Sequence, residues 1–360
     1  MREIVIVIPD LYLDPSPEDS RASPGDAPPG AGVLGTLPGF ERAARFGTRR
    51  SIAPGGGWRP WLSRWLSRPD LASHAPATIA AAALSPPNFV ATAEAPRAPS
   101  TVWMATPVHW IAGLTSLHLD RRGLLSLPSE DLAAFAADFN QTFGDTDLHL
   151  QPLSNGEFLL HGPAAWSAVT TEPARAVVTD LESSLPKGDA GSALKRLGAE
   201  LEMWLHSHPR NEVRRRRGDR PVSALWFWGG GQSGPVKASA SLPTDLAFGC
   251  DPYVAGLWRL QGSSSRPLPD RFVELLGDPK AERAILVVEV TPLLQSNSHW
   301  TVFEALVDVD RLYLSPALAA LQARALESAV VVANDMEVRL RRGDRLKIWR
   351  RVRSGISAIL

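Results

Sequence analysis

His208-Pro209-Arg210-Asn211-Glu212-Val213-Arg214-Arg215-Arg216-Arg217-Gly218-Asp219-Arg220-Pro221-Val222-Ser223-Ala224-Leu225-Trp226-Phe227-Trp228-Gly229-Gly230-Gly231 is the stretch on which the reading of the fold turns. It reads as a basic loop, a buried strand and a sharp glycine turn in one unbroken unit. Ahead of it, Leu194 to Leu205 has the apolar spacing of a helix that begins near Ala190. After Arg220-Pro221 the chain becomes apolar and aromatic, as a central strand would. Three glycines then let the backbone turn and approach whatever lies beyond the strand end. In open α/β sheets that edge is where ligands sit. The candidate ligand-binding residues are therefore His208, Asn211, Arg214 and Arg215, with Gly229 and Gly231 as the close-approach backbone. Guanidinium forks match phosphate and carboxylate geometry. The competing reading is a solvated basic loop kept in place by Pro209, Gly218 and Pro221.

Outward from this stretch, Arg2 to Leu13 opens with a continuous apolar run, a fully buried strand leading into a loop. Asp14 to Pro38 is rich in Pro, Gly, Ser and Asp and reads as a long loop. Pro38 to Phe46 carries a short helical pattern through Phe40, Ala43, Ala44 and Phe46. Trp58, Trp61 and Trp65 follow a glycine run at spacings of three and four, which puts their rings on one helical face. Val102 to Ala105 predicts another core strand. Leu114 to Leu119 alternates, and Ser129 to Phe143 predicts an amphipathic helix with Ser129 as N-cap and Leu132, Phe135, Ala136 and Phe139 on one face. Leu148 to Leu153 and Glu157 to Leu160 predict a hairpin around Ser154-Asn155-Gly156.

A β-α-β-β order packs as a small α+β layer. It is expected as an insert over residues 110–185, between two segments, 1–109 and 186–360, of one core. In that core, Ala284 to Glu289 and Ala329 to Ala333 predict strands and Leu314 to Ala325 a helix. Glu337 to Arg341 and Arg345 to Trp349 predict a hairpin around Arg342-Gly343-Asp344. Val338, Leu340, Leu346 and Ile348 would face inward; Arg339, Arg341, Arg345 and Lys347 would form a second basic face. Strands alternating with helices predict an α/β fold with a mainly parallel sheet and helices on both faces.

Composition narrows the function classes. The 360 residues, 44% of them hydrophobic, suffice for a sizeable core and more than one domain. Lys+Arg and Asp+Glu are both 38, which argues against a dedicated nucleic-acid binder. The single cysteine, Cys250, excludes an intramolecular disulfide framework and a Cys-rich zinc site and fits a reducing compartment. There is no basic start with a cleavage site, and no apolar run approaches the ~20 residues that span a bilayer. A cytoplasmic protein without a membrane partner is expected. Twelve tryptophans imply a Trp-rich core or, alternatively, an aromatic-lined groove. Gly229-Gly230-Gly231-Gln232-Ser233-Gly234 fits the dinucleotide spacing but leads into Pro235 instead of the helix whose N-terminus would hold a pyrophosphate. His206 and His208 lack an evident third metal ligand, and no Gly-x-Ser-x-Gly elbow is present.

The opening stretch resembles the archaeal-type, cofactor-independent phosphoglycerate mutases. That family carries a His-Pro-x-Asn-x-x-Arg segment, a Gly-x-x-Pro-Ala-Asn step and a strand ending in Gly-x-Gly. His208, Pro209, Asn211, Arg214, Gly218, Pro221, Gly229 and Gly231 match, while Ser223 stands where the family has Asn. The Leu-Trp-Phe-Trp-Gly-Gly-Gly ending and the Trp-rich composition are similar to mutase-related bacterial proteins called RpfE-type regulatory proteins. The resemblance implies an alkaline-phosphatase-like fold with an inserted small α+β subdomain.

It also implies a chemistry whose parts can be sought. The family's two-metal phosphoryl transfer needs several Asp and His ligands and a hydroxyl nucleophile at a helix start. Asp10, in Ile8-Pro9-Asp10-Leu11, stands where the family has its first ligand. The nucleophile region reads Gly55-Gly56-Gly57-Trp58-Arg59-Pro60-Trp61, without Ser or Thr. Glu289 to Ser298 lacks the family's Asp-x-x-x-His pair, and Ala333-Asn334-Asp335-Met336-Glu337 replaces the family's last Asp-His ligands, leaving Asp335. Asp10 and Asp335 alone would not hold two cations. The expectation is a degenerate relative with no catalytic residue, no metal and no cofactor, acting as a regulatory or binding protein for a phosphorylated or other anionic small molecule or for a protein partner. The alternative is an active metal-dependent phosphomutase or phosphatase with a rearranged site. A nucleic-acid-binding regulator working through the two basic patches is opposed by the neutral charge.

Overall fold

The structure is a computed structural model that describes residues 1–11, 37–84, 100–112, 117–119, 121–177, 181–234, 236–238, 245–277, 281–296 and 302–344. In chain order the first elements are β1 (Glu3–Ile8), α1 (Pro38–Phe46), β2 (Thr48–Ser51), α2 (Trp58–Trp65), α3 (Pro76–Ala81), β3 (Ser100–Val108), β4 (Ile111–Ala112) and β5 (Leu117–His118). Then come α4 (Ser129–Thr142), β6 (His149–Pro152), β7 (Phe158–Pro163), α5 (Pro173–Ala176), α6 (Leu181–Ser184), α7 (Gly191–His206), α8 (Pro209–Arg217) and β8 (Ala224–Ser233). The last are β9 (Leu246–Phe248), α9 (Pro252–Arg259), α10 (Val273–Leu276), β10 (Arg283–Val287), α11 (Val290–Ser296), α12 (Val302–Val309), α13 (Ser315–Gln322), β11 (Ser328–Ala333) and β12 (Met336–Arg341). They divide between two compact units.

The first unit comprises Met1–Ala72, Leu242–Cys250 and Ser264–Leu360. Its six-stranded sheet has the order β2-β12-β11-β1-β10-β9. β11, β1, β10 and β9 run parallel, and β12 and β2 are antiparallel at one edge. Both ends of the chain therefore contribute to one mainly parallel sheet, as the sequence predicts. β1 sits between β10 and β11, with Ile6 level with Leu286 and Val331. Both of its faces are buried, which explains a β-branched run without polar alternation. On one face Ile4, Ile6, Ile8, Leu286 and Val331 pack with Phe40, Leu306, Val309, Leu314 and Leu318.

A single turn of π-helix, Asp310–Leu314, joins α12 to α13. It places the buried Asp310 so that its carboxylate accepts from Gly39 N (3.1 Å) and Phe40 N (2.9 Å), capping α1. On α2 the tryptophan stripe is split in use. Trp58 is buried, whereas Trp61 and Trp65 are half-buried, stacked at 6.5 Å, and donate their indole N–H to Glu337 (3.0 Å) and Glu3 (2.7 Å). In β12, Val338 and Leu340 face the core as expected, while Arg339 bonds Glu3 (2.6 Å) and Glu337 (3.0 Å). The hairpin partner of β12 is β11, through a turn in which Asn334 takes φ 49°. The strand expected at 345–349 lies outside the described residues.

The second unit comprises Ser73–Ser241 and Asp251–Ser263. Its sheet, β6-β7-β3-β8, is antiparallel throughout. The expected hairpin is present, with Leu150 opposite Leu160 and Pro152 opposite Phe158. Phe135 and Phe139 of α4 and Leu194, Leu201 and Leu205 of α7 pack on Trp103, Phe158, Leu160 and Phe227. α4 starts at Ser129 as read, but its cap is Pro128, without a side-chain hydrogen bond.

Three readings of the sequence change here. First, the sequence pattern places β3 and β8 in the central parallel sheet, whereas they belong to this antiparallel one, with β8 at its edge. An apolar run reports burial of both faces and is silent on strand direction; β8 buries Leu225 and Phe227 on one side and Trp226 and Trp228 on the other. The unit consequently takes in more chain than residues 110–185. Second, the basic loop is helix α8. His208 caps it, Pro209 opens it, and Gly218 closes it at φ 81°. Third, Gly229–Gly231 form no turn. They lie inside β8, where the register jumps from Val102–Gly231 to Met104–Trp228, a bulge that sets two glycines against Trp103. A Cβ on Gly230 would stand 2.1 Å from the Trp103 ring, and one on Gly231 2.5 Å from Ala75 Cβ. The glycines serve close packing.

Candidate functional site

Helix α8 and its cap commit His208, Arg210, Asn211 and Arg214 to partners within the protein, while Glu212, Arg215, Arg216 and Arg217 are exposed. Asn211, 1% exposed, donates to Leu205 O (2.7 Å) and Val222 O (2.8 Å) and accepts from Val222 N (2.8 Å). It ties the end of α7 to the segment entering β8. Arg214 is buried; its Nε donates to Arg220 O (2.9 Å) and its Nη1 pairs with the buried Asp131. Arg210 joins the same carboxylate at 2.5 Å and Glu130 at 2.8 Å. His208 accepts from Arg210 N through Nδ1 (3.1 Å), points Nε2 at Asp138 (3.2 Å) and lies between Phe135 and Trp204. Burial pushes its pKa below the ordinary value, outweighing the attraction of Asp138.

Of the candidate residues, only Arg215 presents its charge outward, in an exposed pair with Glu212 at 3.2 Å. Gly229 is seven residues along from Val222, which Asn211 holds; at ~3.3 Å per strand residue that is about 23 Å. The structure therefore brings His208, Asn211, Arg214 and Arg215 together on one helix and leaves Gly229 and Gly231 apart from them. Sequence reasoning missed Asp131, which lies 79 and 83 positions from its two arginines and gives no local signal.

A groove of about 460 Å³ opens beside this helix, lined by Trp110, Glu202, Met203, His206, Arg215 and Ser223, with Asn211, Pro221 and Val222 completing the wall. Trp110 stands edge-on to Trp226 at 5.9 Å, and its buried indole N–H has no partner among the described residues. Ser223 Oγ lies 3.1 Å from His109 Nδ1, which also lies 2.9 Å from Pro221 O. A carbonyl only accepts, so Nδ1 carries the proton and the Ser223 hydroxyl accepts from it. His109 in this tautomer has no lone pair toward Ser223 and cannot activate it as a nucleophile.

The other polar concentration lies in the first unit at the carboxyl ends of the parallel strands. Asp10, two residues beyond β1, accepts from Val290 N (2.8 Å) and Thr291 N (2.7 Å) and so caps α11. Asn334, directly after β11, donates to Leu11 O (2.6 Å). Thr291 Oγ1 and Asn334 Oδ1 are buried and have no hydrogen-bond partner among the described residues. Asp335 lies close to Gly57, where a Cβ would stand 3.4 Å from its Oδ1. The helix that follows begins Trp58-Arg59-Pro60, with the Arg59 guanidinium 4.5 Å over the Trp58 ring and no hydroxyl in its first turn.

These donors do not fit a pair of divalent cations. No group of three or more His, Cys, Asp or Glu side chains with metal-binding placement occurs among the described residues. Two hard cations would need several carboxylates or imidazoles.

No family model matches the chain, and no curated protein matches it. Among solved structures it is similar to the cofactor-independent phosphoglycerate mutase from Thermoplasma acidophilum, at 15% identity over 95% of this chain and 90% of that one, with a TM-score of 0.40. A protein from Pyrococcus horikoshii is similar at 13% identity over 94% and 86% of the two chains, with a TM-score of 0.46. No helix among the described residues is long and apolar enough to cross a membrane.

Proposed function

We propose that this chain is a degenerate relative of the cofactor-independent phosphoglycerate mutases, with an alkaline-phosphatase-like core, that binds an anionic ligand without turning it over. The residue match along 208–231 and a parallel sheet with β1 at its centre support the kinship. The observation that carries the non-catalytic reading is Asp10. It stands where the first metal ligand would be, yet both its oxygens accept backbone N–H groups that open α11. A carboxylate committed to a helix cap is a structural part, and the helix start where a nucleophile would sit offers tryptophan, arginine and proline.

Ligand binding is assigned to the groove beside α8. Arg215, His206, the Ser223 hydroxyl and the free Trp110 indole N–H supply donors, and Met203 and Val222 supply an apolar wall. A phosphorylated or carboxylated small molecule is the matching class. Two measurements test the reading. With manganese added, 3-phosphoglycerate should show no turnover above the uncatalysed background; a rate of about 1–10³ s⁻¹ would restore an enzyme. In an NMR titration with inorganic phosphate, the Trp110 indole N–H resonance should shift and Arg215→Ala should abolish the shift. An unchanged Trp110 resonance at high phosphate would remove the groove as the site.

The second reading, an active phosphomutase or phosphatase with a rearranged site, has one observation in its favour. Thr291 Oγ1 and Asn334 Oδ1 are unpartnered at the sheet edge that ligands favour. Manganese or zinc retained stoichiometrically through purification, and lost on Asp10→Ala, would decide for it.

A further inference from the structure

A second groove, of about 550 Å³, lies within the first unit between α1, α13 and the end of β12. Its volume is in the usual range of ligand pockets. The floor is apolar: Leu318, Leu321 and Leu340 are buried and Phe46 is half-buried. The rim is basic, carrying Arg42, Arg324, Arg341 and Arg342 against a single carboxylate, Asp344. That carboxylate accepts from the backbone N of Arg341 at 2.8 Å. Arg342 is held in place by bonds to Leu326 O (2.6 Å) and Arg324 O (2.8 Å).

The guanidinium groups of Arg42, Arg324 and Arg341 have no hydrogen-bond or ion-pair partner among the described residues. Three unpaired guanidinium groups line the rim of one apolar groove. Arg324 is also strained. It closes α13 in the left-handed conformation, φ 64°, where Ala325 N reaches Ala320 O (2.9 Å) and glycine would sit without strain.

We propose that this groove binds an amphipathic anion, a ligand that joins a phosphate or carboxylate head to an aliphatic tail. The head meets guanidinium donors that match its geometry, and the tail covers the leucine floor. The site rests on different residues from the groove beside α8 and does not depend on that reading.

Calorimetric titration of the full chain with monomeric dodecyl phosphate tests it. One-to-one saturable binding is expected, at least a hundredfold tighter than inorganic phosphate. Arg324→Gly relieves the strained backbone and removes one guanidinium, so it should weaken binding about tenfold without lowering the melting temperature. Gln322→Trp fills the groove without touching a charge and should abolish binding. Cosedimentation with vesicles containing phosphatidylglycerol, lost on Arg324→Gly, would mark a lipid headgroup as the source; no cosedimentation would mark a free amphiphile. Absence of saturable binding, equal affinity for inorganic phosphate, or full affinity in both variants would overturn the proposal.

Discussion

Replacing Asn211 by leucine separates a structural role for the α8 segment from a ligand-binding one. The side chain makes three buried hydrogen bonds of 2.7–2.8 Å to main-chain groups of Leu205 and Val222. Leucine is of similar volume but leaves Val222 O and Val222 N without partners, and leaves Leu205 O with the His208 N–H alone. Each buried group left unsatisfied costs ~1–3 kcal/mol. With some relaxation toward solvent near the adjoining groove, the expected loss is about 3–5 kcal/mol. Hydrogen exchange at the Val222 amide reads that loss locally. A drop of ~3–5 kcal/mol in the opening free energy raises its exchange rate roughly 10²- to 4 × 10³-fold, at about 1.4 kcal/mol per factor of ten. Asn211→Asp is the matching control, because it keeps shape and the acceptor for Val222 N but turns the two donations into carboxylate–carbonyl repulsion. It should destabilise at neutral pH at least as much. Val222 protection within tenfold of the parent in both variants would refute the view that Asn211 is a main-chain staple.

Other perturbations follow from the same geometry. His208 has its pKa depressed by burial, so the unfolded chain takes up a proton first as pH falls below about 6.5; the second unit should lose stability between pH 7 and 5, and His208→Asn, which can still cap α8, should flatten that dependence in denaturation curves. Gly230→Ala drives a Cβ to 2.1 Å from the Trp103 ring and should cost about 1–3 kcal/mol or more, whereas Gly198→Ala, mid-helix with nothing within 4 Å, should gain about 0.5–1 kcal/mol; paired melting curves compare them. Asp131→Ala strips two arginines of a buried carboxylate and should cost about 3–5 kcal/mol, with less lost once Arg214→Met is added, as a double-mutant cycle would show. The Cys250 thiol is held above its ordinary pKa by burial and by Glu289, so alkylation at pH 8 should be slower than for a free thiol and should quicken with Glu289→Gln.

Local signals carried the sequence reading where one face or one turn decided the outcome. The continuous apolar run of β1, the Ser154-Asn155-Gly156 hairpin and the amphipathic face of α4 each needed only neighbours within a few residues, and each is present. Pairing across long separations was not legible. Nothing in Leu225-Trp226-Phe227-Trp228 says whether its partner is parallel or antiparallel, and the partner, β3, lies more than a hundred residues away. α8 shows a different failure. Its proline start and glycine stop were in plain view, but four consecutive arginines suggested solvent. The buried Asp131 that neutralises Arg214 could be found only in three dimensions. Of the two grooves, the sequence pointed at one through Arg215 and Asn211 and at the other only through Arg341 on a basic strand face.

The position of β1 sets an order of events during synthesis. Residues 3–8 are synthesised long before both neighbours of that strand, β10 and β11, which begin at Arg283 and Ser328. At roughly 5–20 residues per second, the run Ile4-Val5-Ile6-Val7-Ile8 waits about 15–60 s for its first partner. In that interval it is a short, uncharged, β-branched segment without proline, the kind that pairs with copies of itself. Until the ribosome has passed residue 287, such a segment must be kept soluble by something other than its native sheet. A slowed ribosome or a depleted chaperone pool should therefore show first as aggregation of nascent chains that have not yet reached β10, well before any defect appears in the finished protein.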